Sequence, residues 1–178
     1  MNVLMIATEK LPVPPVRGGA IQTYITGVAP ILARHHRLTI LGRTDPALPQ
    51  RNTERNITYE RVESEGSFKK YKQAVTAFLK GKSYDLIHIF NRPRLVLPVA
   101  EMVPGARIIL SMHNDMFIPR KITPEEAVKV IAKVERIITV SNYVGHAIQN
   151  LYPQAAAKLR TIYSGVDLNR FSPALAGK

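Results

Sequence analysis

Arg107-Ile108-Ile109-Leu110-Ser111-Met112, then Thr123-Pro124-Glu125-Glu126 opening a helix-length segment, then Arg136-Ile137-Ile138-Thr139-Val140-Ser141 are the residues that decide the fold. The outer two runs are apolar at consecutive positions, a pattern that suits strands covered on both faces, as in a parallel sheet. Between them, Thr123 to Glu126 combines a capping box with proline at the first helical position. Ala127, Val130, Ile131 and Val134 follow on one helical face. Ser141 ends the second strand and caps a further helix through Leu151. Strand, helix, strand in this order is a right-handed crossover unit.

The alternation continues in both directions. Val3 to Ala7, Leu38 to Leu41, Ile57 to Val62, Asp85 to Phe90 and Arg160 to Tyr163 read as further strands, and the first run above extends from Arg107 to Ser111. Ile21, Tyr24, Ile25, Val28, Ile31 and Leu32 recur at helical spacing after Gly18-Gly19, with Pro30 expected to kink this helix or split its last turn. Ser67 caps a helix carrying Phe68, Tyr71, Val75 and Phe78 on one side. The polar stretch from Arg43 to Asn56 reads as a long surface loop. Together these segments predict an α/β fold: a doubly wound, mostly parallel, Rossmann-like sheet with helices on both faces. Ligands of such sheets bind outside the carboxyl ends of the strands.

Composition limits the function classes. The 178 residues suffice for one sizeable domain, and 46% apolar with 21% charged residues is ordinary for a globular protein. No run reaches the roughly 18 apolar residues of a membrane span. The absence of cysteine excludes disulfides and thiolate chemistry. Met1 to Ala7 has no basic segment before its apolar run, so a cytoplasmic protein is expected. The net charge of +12, from 25 basic and 13 acidic residues, attracts polyanions. Its dispersal, and the lack of a helix-turn-helix, zinc or aromatic-platform pattern, argue against nucleic acid. Lys69, Lys70, Lys72, Lys80 and Lys82 flank the aromatic stripe that starts at Phe68. Such a helix either touches an anionic membrane or packs on the sheet with its lysines solvated, and the second reading is the commoner.

Candidate chemistry follows from position. Gly18-Gly19 opens a helix after the first strand, where backbone and unpaired N–H groups can meet phosphate or other oxygen-rich ligands, although a turn alone also needs such residues. His113, with Asn114 and Asp115 beside it, lies at the carboxyl end of a strand, where imidazole can bond a sugar hydroxyl or a developing charge. His88 lies inside a strand and reads as a core residue; His35 and His36 close the first helix. No histidine and carboxylate set has metal-ligand spacing, so no metal site is expected. Gly81-Lys82-Ser83 resembles the end of a P-loop, but Thr76 stands where its first glycine should be. Thr139 and Tyr143 replace the glycines that would make Ser141 a hydrolase nucleophile.

Taken in order, the Gly18-Gly19 loop, Asp85-Leu86-Ile87-His88, His113 and Ile138-Thr139-Val140-Ser141 resemble the N-terminal domain of glycosyltransferase family 4, retaining enzymes of the two-domain GT-B fold. Thr161-Ile162-Tyr163-Ser164-Gly165-Val166-Asp167 with Phe171-Ser172-Pro173 is similar to that family's crossover into its second domain, where asparagine is usual at the position of Ser164. Ala7 to Pro14, Arg17 to Gln22, Asn91-Arg92-Pro93 and His113 to Phe117 resemble the spore-coat glycosyltransferase-like members from endospore-forming bacilli.

The resemblance implies an acceptor-side domain over residues 1–163 and a linker from 164 to 178 leading to a donor-binding C-terminal domain. It implies His113 at the donor sugar, Gly18 and Gly19 near the donor diphosphate, and Arg17, Asn91 and Asn114 as acceptor or sugar contacts. The donor would be a nucleotide diphosphate sugar, a substrate; no cofactor is implied. The acceptor would be a glycan or coat protein, reached in the mother-cell cytoplasm or spore coat, and the chain alone would be inactive. The rival reading is a non-catalytic basic module docking on an acidic glycan, membrane or coat protein.

Overall fold

The computed structural model describes residues 1–166 and Leu168. The elements run β1 (Asn2–Ile6), α1 (Ala20–Leu32), β2 (Arg37–Arg43), β3 (Arg51–Glu54), β4 (Ile57–Val62), α2 (Phe68–Leu79), β5 (Leu86–Phe90), α3 (Val96–Met102), β6 (Arg107–Met112), α4 (Pro124–Lys133), β7 (Arg136–Thr139), α5 (Asn142–Leu151) and β8 (Leu159–Thr161). They form one sheet of order β3-β4-β2-β1-β5-β6-β7-β8, parallel except at β3. The doubly wound α/β architecture is therefore present.

Alternation along the central strand divides the core. Leu4 and Ile6 of β1 face a large cluster with Tyr71, Val75 and Leu79 of α2, Val99 of α3, Val130 of α4 and Ile148 of α5. Val3, Met5 and Ala7 face a smaller cluster with Ile25 and Ala29 of α1. Helices lie on both faces, but unequally: α1 packs on one side and α2 to α5 on the other. The reason is topological, since leftward and rightward moves along the sheet place right-handed crossovers on opposite faces.

The caps read from sequence are formed. The hydroxyl of Ser67 accepts from the Lys70 N–H, Thr123 from Glu126 and Ser141 from Val144. α2 buries Tyr71, Val75 and Leu79, while Lys69, Lys70, Lys80 and Lys82 stay exposed. Pro30 lies in the last turn of α1.

Two expectations are corrected, and one helix is added. Residues 43–56 are not one loop: Arg51–Glu54 pairs antiparallel with β4 through a turn at Arg55 and Asn56, with φ of 48° and 65°. An all-polar edge strand has no buried face, so its alternation left no apolar trace. The last strand runs from Leu159 to Thr161, leaving Ile162 and Tyr163 exposed. Helix α3 went unread because Pro93 and Pro98 interrupt its short apolar pattern. Most of the expected linker at 164–178, including Asp167 and Phe171-Ser172-Pro173, lies outside the described residues.

Candidate functional site

The chain winds leftward from β1 to β2 and rightward from β5 onward, so the crevice between the carboxyl ends of β1 and β5 is the switch point where ligands of such sheets collect. Glu9 follows β1 and Arg92 follows β5, and their side chains close this crevice with a two-pronged ion pair, Nε–Oε2 2.6 Å and Nη2–Oε1 2.8 Å. Arg92 also donates to the Asn91 carbonyl at 2.7 Å. Burial alone would raise the Glu9 carboxyl; the Arg92 guanidinium outweighs it and holds the group below its ordinary range. Beneath, the buried Tyr71 hydroxyl donates to the Ala7 carbonyl at 2.9 Å, tying α2 to the end of β1.

The loop from Thr8 to Gly19 is fixed from three sides. The Gln22 amide donates to Thr8 Oγ1 and to the Leu11 carbonyl, at 3.2 and 3.0 Å. Buried Arg61 of β4 donates through Nε and Nη2 to the Val13 carbonyl at 3.1 and 2.9 Å. Arg17 pairs with Asp45 at 3.2 and 3.3 Å, and that contact depresses the Asp45 carboxyl. The loop ends at Gly18 (φ 76°) and Gly19 (φ 109°), both in conformations that L side chains rarely adopt. Gly19 at the N-cap has no side chain to cap the first turn of α1, which leaves first-turn N–H groups without that partner.

His113 sits beside this helix. Its half-buried ring meets Tyr24 of α1 edge-on, with centroids 5.4 Å apart and planes at 78°. Burial lowers its pKa, which favours the neutral imidazole. Among the described residues no side chain hydrogen-bonds either ring nitrogen, which leaves a donor and an acceptor for an incoming hydroxyl or charged oxygen. Buried Asn91, with φ 53°, orients the segment: its Oδ1 accepts from the His113 N–H at 3.1 Å and its Nδ2 donates to Asn114 Oδ1 at 3.0 Å. Left-handed backbone is most tolerable for asparagine among non-glycine residues, which explains the residue type. His88 Nε2 pairs with Ser111 Oγ at 2.7 Å, and its ring stacks on Phe90, agreeing with a core role. Burial, and secondarily His113, lower its pKa to about 3.

The structure thus brings His113, Asn91 and Asn114 together and sets Gly18 and Gly19 at the neighbouring helix start. Arg17 is turned away to Asp45. The Glu9–Arg92 pair, Tyr24 and Gln22 were missed as site residues. The available signal was a charged residue placed just after each of two strands; their adjacency was not legible.

A parallel sheet with two glycines opening a helix and a half-buried histidine at its switch-point edge defines a Rossmann-like domain with its ligand edge at the carboxyl ends of β1 and β5. The chain belongs to glycosyltransferase family 4, whose model matches residues 18–170. It is 43% identical over 173 residues to Spore coat protein SA of Bacillus subtilis (strain 168), covering 97% of this chain and 45% of that protein. To YtcC, glycosyltransferase by name, from the same strain it is 40% identical, covering 97% and 42%. The chain therefore spans less than half the length of these relatives. Its fold is shared with the catalytic domain of Starch Synthase IV from Arabidopsis thaliana, at a TM-score of 0.68, 16% identity, and coverage of 99% and 54%. Trehalose-6-phosphate synthase OtsA matches with a TM-score of 0.60 at 11% identity, covering 96% and 50%. Among the described residues no helix is long and apolar enough to cross a membrane.

Proposed function

We propose that this chain is the acceptor-side half of a retaining glycosyltransferase that moves a hexose from a nucleotide diphosphate sugar to a cell-surface or spore-coat glycan or protein. The observation that carries the reading is the convergence of the open start of α1, its two positive-φ glycines and the unoccupied imidazole of His113 on one edge of the sheet. The first-turn N–H groups suit a diphosphate oxygen, and their positive end of the helix dipole favours its charge as the leaving group departs. Neutral His113 would hydrogen-bond the donor sugar, held there by Asn91 through the His113 backbone. Positioning and charge stabilisation would then account for most of the rate. The starch synthase of the same fold is bound to ADP, consistent with a nucleotide diphosphate donor. A C-terminal donor-binding domain would supply the nucleotide pocket, and the name of the relative at 43% identity supports a spore-coat setting.

The test uses the complete protein with a panel of nucleotide diphosphate sugars, following donor hydrolysis and the anomeric configuration of the product by NMR. His113→Ala should lower turnover about 100-fold or more, the range of one lost transition-state hydrogen bond, with unchanged circular dichroism. Wild-type turnover would remove His113 from the site, and an inverted product would end the retaining assignment.

A further inference from the structure

On the other side of the Glu9–Arg92 pair from α1, a cleft of about 340 Å³ opens between the loops that follow β1, β5 and β6. Its lining is unbalanced. Lys10, Arg92, Arg94, Arg120 and Lys121 face a single carboxylate, that of Glu9. Glu9 is already engaged by Arg92, with Lys10 Nζ at 3.5 Å from the same group. Arg94 reaches Glu126 outside the cleft at 3.5 Å. Among the described residues Arg120 has no acidic partner, and Lys121 Nζ contacts only the Met116 sulfur, at 3.5 Å.

These cations stand on a fixed support. Buried Phe117 and Ile122 anchor the loop on either side of Arg120 and Lys121, and the Tyr152 hydroxyl donates to the Phe117 carbonyl at 3.2 Å. The Arg94 guanidinium lies 5.6 Å from the centre of the Phe68 ring, which limits its freedom. Phe68, Pro93 and Met116 give the same cleft an apolar wall. A pocket with several positive groups beside an apolar wall matches a multiply charged anion attached to an apolar or ring-bearing body.

We propose that this cleft is the subsite for a phosphoryl group on the acceptor, with the adjoining part of that molecule against Phe68 and Met116. This assignment rests on the acceptor-side reading above. A phosphate monoester carries about −1.5 to −2 charges and three acceptor oxygens at pH 7, which suits the surplus of cations better than one carboxylate. Arg120 and Lys121 bind the phosphoryl oxygens, and Arg92, fixed by Glu9, presents its remaining N–H groups from the floor.

The experiment titrates the chain with phenyl phosphate, benzoate and benzyl alcohol, three probes that share a ring but differ in charge, and follows amide and guanidinium NMR shifts. Phenyl phosphate should bind at least about tenfold more tightly than benzoate, with shifts at Arg94, Arg120 and Lys121, and benzyl alcohol should not saturate. Arg120→Ala with Lys121→Ala should weaken phenyl phosphate at least about tenfold while leaving the remaining spectrum in place. Equal binding of benzoate, or unchanged affinity in the double variant, would overturn the assignment. Vesicles of phosphatidylcholine with and without phosphatidic acid distinguish the source. Tighter binding to phosphatidic acid than to phenyl phosphate identifies a lipid-borne phosphoryl group, and the reverse a soluble one; either retains the subsite. Saturable phenyl phosphate binding in a protein with no transferase activity would keep the subsite and end the transfer reading. Transfer to a phosphorylated acceptor that is undiminished by the double substitution would keep the reaction and end the subsite.

Discussion

Replacing Gly19 by alanine should destabilise the fold far more than the same change one residue earlier. At Gly19 the backbone has φ 109° and ψ 124°, a region essentially restricted to glycine, and holding an L-residue there costs roughly 2 kcal/mol. The added Cβ would also stand 2.8 Å from Leu11 Cδ1 and closer still to Gln22 Oε1. Gln22 cannot swing aside freely, because its amide holds Thr8 and the Leu11 carbonyl. Displacing it loses two hydrogen bonds, one buried and one part-buried, about 1 kcal/mol each, for a total of about 4 kcal/mol. At Gly18 the φ is 76° and a Cβ meets nothing within 4 Å, so only a backbone cost of about 1–2 kcal/mol applies. Urea unfolding followed by circular dichroism reads both. With a slope of about 2 kcal/mol/M, Gly19→Ala should lower the midpoint by about 2 M and Gly18→Ala by less than about 1 M. Equal shifts would show that Gln22 yields without loss and would refute the steric argument. In the complete protein, Gly19→Ala should also raise KM for the donor; wild-type kinetics would reduce the glycine pair to a turn.

Two further outcomes follow from buried charge. Glu9→Gln should destabilise by about 3 kcal/mol, because Arg92 stays buried without its anion, whereas joint replacement of Glu9 and Arg92 by leucine should cost less than either single leucine change. A double-mutant cycle by urea unfolding checks this, and additive losses would show the pair uncoupled. His88 has a folded pKa of about 3, below the ordinary 6.5, so the unfolded chain binds more protons and stability falls as pH drops from 6.5 toward 3. From pH 7 to pH 5 this amounts to about 2 kcal/mol, and His88→Gln should remove that part of the slope. An identical pH dependence in wild type and variant would contradict it.

The elements legible from sequence were those in which a local rule acts alone. Consecutive apolar residues marked the buried parallel strands, and Ser67, Thr123 and Ser141 announced helix starts through short-range hydrogen bonds. The glycine pair and His113 could be placed at a ligand edge because each directly follows a strand. Where local signals are weak the reading failed: polar β3 has no face in the core, and prolines mask α3.

The sequence by itself therefore determined the doubly wound architecture, the family and the strand ends that carry chemistry. Tertiary structure alone decided what those ends do to one another. Glu9 and Arg92 are joined only because β1 and β5 are adjacent in the sheet, eighty-three residues apart in the chain. Arg17 is paired with Asp45, and Asn91 bonds the His113 backbone, contacts that no local pattern announces. Local patterning fixes which residues lie at an edge; strand order and packing decide which of them meet, because side-chain pairing depends on distances that sequence spacing does not contain.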